Sequence, residues 1–96
     1  MIAVGTDILM VARIEDVVAR LGDRFVRRIL TPQEQTEYQA SKQPIRLLAK
    51  RFAAKEAFSK AIGLGMRMPM HWRLCEIANR PSGEPFIVLH GGLKEW

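Results

Sequence analysis

The apolar residues divide the first third of the chain into two stretches of different periodicity. Residues 2–11 form a nearly continuous apolar run, which favours a buried strand over a one-sided helix. Between residues 13 and 28 the apolar positions recur at three- and four-residue steps, which is typical of an amphipathic helix. Gly22 and Asp23 are expected to break that helix into two. The chain is therefore predicted to open with a strand and two helices.

Two further helices are indicated by residues at their ends. Thr31 is followed by Pro32 and then by Glu34, a combination typical of an N-cap, a proline in the first turn and a capping box. A helix to about residue 41 is expected from there. Pro44 begins a longer helix, which Gly63 is expected to end after residue 62 by adopting a left-handed conformation.

The last third of the chain has the pattern of a β-hairpin. Residues 72–78 and 86–90 flank residues 79–85, which are crowded with turn formers. Residues 91–96 resemble the first turn of another helix. With 96 residues, nearly half of them apolar, the chain is expected to form one domain of the α+β class, spanning residues 1–96.

The composition favours an anionic partner. The net charge of +5 suits nucleic acid, a nucleotide or an acidic protein. Cys75 is the single cysteine, which excludes an internal disulfide, and no Cys/His cluster at ligand spacing suggests structural zinc. The apolar opening contains Asp7 and is too short for a membrane helix. We therefore expect a cytoplasmic protein that does not bind membranes.

Two carboxylates stand in apolar surroundings. Asp7 lies in the predicted strand, and Glu56 lies on a helix face that is otherwise apolar or small. An unpaired buried carboxylate is costly, so each needs a partner. Asp7 can hydrogen-bond to backbone near Gly5, and Glu56 can pair with Lys60 four residues on. The alternative that joins the two carboxylates is a shared Mg²⁺, which is commonly held by one or two carboxylates together with phosphate oxygens and water.

Basic residues and glycines next to Glu56 suit phosphate binding. The basic residues on the same predicted helix are Lys50, Arg51, Lys55 and Lys60. Gly63 and Gly65 follow its end and allow a ligand to approach the backbone closely. A solvated surface and a simple helix end are the alternatives. These features predict a phosphate-handling metal site without naming its reaction.

Two motifs are specific enough to compare with known families. The longer is residues 51–61 (RFAAKEAFSKA), followed by Gly63 and Gly65, and the shorter is residues 4–8 (VGTDI). Both resemble motifs of the holo-[acyl-carrier-protein] synthases, in which the shorter motif is a Gly-x-Asp-Ile strand. Arg13 with Ile14, and residues 29–34 (ILTPQE), fit the family pattern between the two motifs. The similarity covers essentially all 96 residues.

The resemblance implies a transferase that moves the 4'-phosphopantetheine arm of coenzyme A to a serine of an acyl carrier protein, in support of fatty acid synthesis. Asp7 and Glu56 would be the Mg²⁺ ligands, and Lys60 would stabilise the departing 3',5'-ADP. A metal-bound water and Glu34 are both open as the general base. The residues implied to border coenzyme A are Arg51, Lys55, Lys60, Gly63 and Gly65. Mg²⁺ and Mn²⁺ are not distinguished by the sequence.

The resemblance also implies an architecture and an assembly. A long helix would pack on an antiparallel sheet, and three protomers would form a homotrimer with an active site at each interface. The implied docking residues for the acidic carrier protein are Arg13, Arg20, Arg24 and Arg27. Their spacing places them on one face if the helix is continuous, although an ordinary solvated face is the alternative.

The chain departs from the family in one respect. Family members continue into a His-Val-Ser type strand that has no match here, and neither His71 nor His90 falls at that position. We therefore expect a truncated version or a fragment, so an inactive family member is one alternative. A basic nucleic-acid-binding module with Trp72 and Phe86 as stacking residues is another. The nucleic-acid alternative leaves both carboxylates unexplained, so we expect no nucleic-acid partner.

Overall fold

A computed structural model of the chain describes the backbone of residues 3–96 and the side chains of residues 8–96. The elements of this part are α1 (Ala3–Leu21), α2 (Asp23–Ile29), α3 (Pro32–Ala40), α4 (Pro44–Ala61), a 3-10 turn (Trp72–Leu74), β1 (Cys75–Asn79), β2 (Pro85–Leu89) and α5 (Gly91–Glu95). None of the helices described is both long and apolar enough to cross a bilayer. The predicted α+β class is confirmed.

The predicted strand over residues 2–11 is wrong from residue 3 onward, since these residues form the first half of α1. A short apolar run does not by itself distinguish a buried strand from a buried helix. A strand needs a neighbour for its backbone hydrogen bonds, whereas a helix forms them within itself. The residues of α1 that pack into the core are Met10, Val11, Ile14 and Val18. Their three- and four-residue spacing is that of one helix face.

The helix boundaries predicted from local signals are confirmed. Gly22 has a φ of 61° and separates α1 from α2. The Thr31 hydroxyl accepts a hydrogen bond from the Glu34 N–H, while the Glu34 carboxylate accepts one from the Thr31 N–H, so the capping box is formed. Gly63 has a φ of 82° and follows the end of α4. Each boundary depends on residues a few positions apart.

The predicted hairpin is present, with antiparallel β1 and β2 in a register that pairs Ile77 with Ile87. Its first strand is shorter than expected, because residues 72–74 form a 3-10 turn. The His71 imidazole accepts a hydrogen bond from the Arg73 N–H and so caps that turn. Helix α5 confirms the helical start predicted for residues 91–96.

Helix α4 packs on one face of β1. Cys75 and Ile77 alternate with less buried residues along β1 and are buried. The residues of α4 and of its C-terminal end that pack against their cluster are Ala54, Phe58 and Ile62. Burial raises the pKa of the Cys75 thiol to about 11, so this thiol stays protonated and behaves as a small apolar core residue.

A larger core lies among α1, α2 and α4. Its buried members are Ile14, Val26, Ile29, Leu30, Leu48, Ala49 and Phe52. Leu48 has no exposed surface. The N-terminal half of α4 thus packs on the helices, and the C-terminal half packs on the hairpin.

We expect Leu48→Ala to lower the free energy of unfolding by about 2–5 kcal/mol, because it removes buried methyl groups and leaves a cavity. Leu21→Ala, at a position that is 48% exposed, is the control and should cost less than about 1 kcal/mol. Urea unfolding followed by circular dichroism measures both values. Equal losses for the two variants would contradict the assigned core.

Candidate functional site

A buried ion pair joins α3 and α4. Lys55 Nζ lies 2.6 Å from Glu34 Oε1, and neither side chain has exposed surface. Lys55 also donates to the carbonyl oxygens of Ile29 at 2.7 Å and of Trp72 at 2.9 Å. Burial lowers the pKa of Lys55, and the hydrogen bond to Glu34 acts in the opposite direction. The three protons of the ammonium group therefore have three acceptors inside the protein.

Glu34 is held by backbone groups as well. Its Oε1 accepts from the Thr31 N–H at 2.9 Å, and its Oε2 accepts from the Ile77 N–H at 2.8 Å. A second cation, Arg51, lies 3.5 Å from Oε2. Arg51 donates to Glu37 and to the Ile77 carbonyl, both at 2.9 Å. The start of α3, the middle of α4 and β1 are thus tied together by charged groups.

These contacts bear on the phosphate ligands predicted from the sequence. Arg51 is 8% exposed and Lys55 is fully buried, and both donate to acceptors of their own chain. A phosphate could reach Lys55 only by displacing Glu34 or a carbonyl group. The predicted contact of Lys55 with coenzyme A therefore has no geometric support in this chain. Glu34 is equally enclosed, which argues against it as the base that takes a proton from an incoming serine.

Glu56 and Lys60 lie on the accessible side of α4. Glu56 is half-buried, and Lys60 is exposed four residues further on. The ion pairs among the described side chains do not include one between these two residues, so the local alternative for Glu56 is not formed. The backbone of Asp7 lies in α1, and its side chain falls outside the described part of the chain. The convergence of Asp7 and Glu56 stays a prediction.

The donor chemistry of Glu56 and Asp7 suits Mg²⁺. Carboxylate oxygens are hard ligands, and Mg²⁺ takes one or two of them while phosphate and water complete its octahedron. Within the side chains that the structure describes, no group of three or more His, Cys, Asp or Glu residues comes together. A Mg²⁺ site that is completed by a bound phosphate does not require such a group.

The turn after α4 contains two glycines in the left-handed conformation. Gly63 and Gly65 have φ values of 82° and 62°, which only glycine adopts readily. The N–H groups of Leu64 and Gly65 both donate to the Ser59 carbonyl, at 3.2 and 3.0 Å. No described atom lies within 4 Å of the position that a Cβ would take at either glycine. A side chain at either position would therefore be disfavoured by the φ angle and not by crowding against the described residues.

A shallow cleft of about 270 Å³ opens beside the N-terminal half of α4. Its lining residues are Ser41, Gln43, Arg46, Leu47, Lys50, Arg51 and Asn79. The last of its lining residues on α4, Arg51, precedes Glu56 by five residues, or about 7.5 Å along the helix. Glu56 and Lys60 are not among the residues that line it.

The arginines predicted to dock a carrier protein are all exposed: Arg13, Arg20, Arg24 and Arg27. They lie on two helices, because Gly22 ends α1 before the third of them. The predicted placement of all four arginines on one helix face is therefore wrong. Arg20 pairs with Asp16 at 3.3 Å, and the Arg13 guanidinium lies 5.9 Å from the Phe52 ring.

The partnership of Glu34 and Lys55 is not predicted by the local motifs, in which Glu34 is a cap and Lys55 a ligand-binding residue. A signal was nevertheless present, since Lys55 lies at four- and three-residue steps from Ser59 and Phe52 on the buried side of α4. A lysine in that stripe requires a buried acceptor.

Residues 3–96 match the family model of the 4'-phosphopantetheinyl transferase superfamily. The chain belongs to this superfamily. A holo-[acyl-carrier-protein] synthase from Variovorax paradoxus is 57% identical over 98 residues, which cover 97% of this chain and 75% of the relative. The chain thus spans about three quarters of the length of that transferase.

Solved structures of such transferases resemble this fold. The holo-[acyl-carrier-protein] synthase from Neisseria meningitidis superposes with a TM-score of 0.86 at 40% identity, over 90% of this chain and 69% of that one. The enzyme from Bacillus anthracis, in complex with CoA (3',5'-ADP), superposes with a TM-score of 0.75 at 34% identity, over 84% of this chain and 69% of that one. The resemblance stated from the two motifs is confirmed.

We expect Lys55→Met to lower the free energy of unfolding by about 3–5 kcal/mol, because it leaves the Glu34 charge buried without its partner. The double variant Glu34→Gln/Lys55→Met should lose less than the sum of the two single variants, since neither charge is then unpaired. Urea unfolding of all four proteins gives the coupling energy.

The exposed pair of Arg80 and Glu84, 3.8 Å apart, provides the matched control. The variants Arg80→Met and Glu84→Gln should be additive within about 0.5 kcal/mol. Additive losses at Glu34 and Lys55 would contradict their coupling.

Proposed function

We propose that this chain transfers the 4'-phosphopantetheine group of coenzyme A to a serine of an apo acyl carrier protein, and so supports fatty acid synthesis. The observation that carries the proposal is the superfamily match over residues 3–96, together with the 57% identity to a holo-[acyl-carrier-protein] synthase. The complex of the Bacillus anthracis enzyme with CoA (3',5'-ADP) supports coenzyme A as the donor.

The reaction is a phosphoryl transfer to a hydroxyl group. The serine oxygen attacks the phosphorus that carries phosphopantetheine, a bond from that oxygen to phosphorus forms, and the bond from phosphorus to the bridging pyrophosphate oxygen breaks. The products are the holo carrier protein and 3',5'-ADP, and the hydroxyl proton goes to a base. Binding and orientation of the two substrates are therefore the main tasks of the protein.

In this proposal the half-buried Glu56 of α4 holds a divalent cation together with Asp7. A bound Mg²⁺ would supply positive charge to the pyrophosphate oxygens. Lys60, exposed one turn beyond Glu56, presents a further cation where negative charge grows on the leaving 3',5'-ADP. The turn of Gly63 and Gly65 borders coenzyme A in this proposal, while its own N–H groups donate to carbonyl groups of α4. In this proposal Lys55 and Arg51 do not contact coenzyme A; they bind Glu34 and so fix how α4 packs on its neighbours.

The acidic carrier protein docks in this proposal on the exposed arginines of α1 and α2. Although these residues do not share one helix face, both helices meet at Gly22, so Arg20 and Arg24 lie on either side of the same corner. A positive surface speeds the encounter with an acidic partner and selects against basic ones.

We further propose a cytoplasmic homotrimer, as the resemblance implies. Exposed apolar side chains support association between copies. Phe86 and Ile87 on β2 are 36% and 40% exposed, and Ile8 and Leu9 on α1 are 62% and 73% exposed. Contacts between protomers would remove this apolar surface from water.

We expect the purified protein to add phosphopantetheine to an apo carrier protein in the presence of coenzyme A and Mg²⁺, and mass spectrometry of the carrier measures the product. Glu56→Gln should lower the rate at least about tenfold, because it weakens cation binding. Its melting temperature should be retained, because the amide has the shape of the carboxylate. Glu95→Gln, at an exposed position of α5, is the control and should keep the full rate. Absence of product with the unmodified protein would refute the proposed function.

We expect the double variant Arg20→Glu/Arg24→Glu to bind the carrier protein less tightly while its affinity for coenzyme A is retained, because only the docking surface changes sign. Arg80→Glu/Lys94→Glu changes the net charge equally at exposed positions of the hairpin and α5. Calorimetric titrations at low and high salt measure both affinities, and the difference should shrink in high salt. An equal loss in the two double variants would argue against a local docking surface.

A further inference from the structure

Buried and accessible polar residues of α4 are adjacent in sequence. Lys55 and Ser59 are buried, whereas the residues directly after them, Glu56 and Lys60, reach the surface. Successive residues of an α-helix are about 100° apart around the axis. Any rotation of α4 that moved Lys55 would therefore move Glu56 and Lys60 by the same angle.

The Lys55 ammonium group is held by three different segments. Its acceptors are the Ile29 carbonyl at the end of α2, Glu34 in the first turn of α3, and the Trp72 carbonyl in the 3-10 turn. Bonds to three segments fix both the rotation of α4 and its position along its axis. Apolar packing alone accepts alternative arrangements of similar volume and so constrains a helix less tightly.

Glu34 is itself fixed by the backbone N–H groups of Thr31 and Ile77, so the constraint on α4 extends to β1. All hydrogen-bonding atoms of the network are paired, because every buried side-chain nitrogen or oxygen of the described residues has a hydrogen-bond partner. Fully satisfied buried networks make a core rigid and define its geometry.

We infer that Glu34 and Lys55 are positioning residues for phosphopantetheine transfer, which set the rotation of α4 and thereby the placement of Glu56 and Lys60. This inference rests on the proposed function. It assigns a role in turnover to two side chains that touch neither substrate. Substrate affinity should depend on the pair much less than the rate of the chemical step, which requires accurate alignment.

The test compares kcat and KM for coenzyme A in the unmodified protein, in Glu34→Gln/Lys55→Met and in Leu48→Ala. The double variant leaves no unpaired charge and is expected to fold. Leu48→Ala is the control on the same helix, because it loosens the core without touching the charged network. All rates are measured at a temperature at which circular dichroism shows every protein to be folded. Glu34→Asp, which keeps both charges but shortens the carboxylate side chain by one methylene group, is the second variant if the double variant does not fold, and the same fall in kcat is then expected of it.

We expect kcat to fall at least about tenfold in the double variant, with KM for coenzyme A within about threefold of the unmodified protein. Leu48→Ala should keep kcat within about twofold while it is folded. Two results would overturn the positioning role while the unmodified protein still transfers phosphopantetheine. One is full kcat in the double variant, and the other is an equal fall of kcat in Leu48→Ala. Either result would leave the proposed function intact. If the unmodified protein transfers nothing, the proposed function fails and this inference fails with it.

Discussion

The buried ammonium group of Lys55 is the constraint around which the chain packs. A cation without solvent must be compensated by acceptors, and here those acceptors come from Glu34 and from two carbonyl groups in other segments. The ends of three elements therefore meet at one nitrogen atom in the interior. Replacing a buried ion pair with apolar residues is often neutral or stabilising. We therefore attribute to this pair a role in defining geometry more than a large share of the stability.

The two sides of α4 differ in chemistry. On the buried side, Lys55 and Arg51 form ion pairs with the start of α3, and Arg51 also donates a hydrogen bond to the first strand of the hairpin. On the accessible side, Glu56 and Lys60 are carried by a helix whose rotation is already fixed, and the glycine turn follows directly. A site built on a rigid helix and supported by a satisfied network beneath it keeps its side chains in one arrangement.

The motif that carried the resemblance combines both sides of α4. Among its residues Arg51, Phe52, Lys55 and Ser59 are buried, while Glu56 and Lys60 are accessible. A match to this motif therefore reports on packing as well as on chemistry. The superposition with the Neisseria meningitidis enzyme, at 40% identity, shows that the fold is shared.

Local interactions allowed the sequence to predict the capping box of Thr31 and Glu34, the break at Gly22, the end of α4 at Gly63 and the hairpin, because each depends on residues close together in the chain. The opening segment was predicted wrongly, because a strand requires a partner that a one-dimensional pattern does not reveal. The burial of Lys55 was likewise decided by tertiary structure. Its acceptors lie 26, 21 and 17 residues away along the chain, and only folding brings them to the same ammonium group.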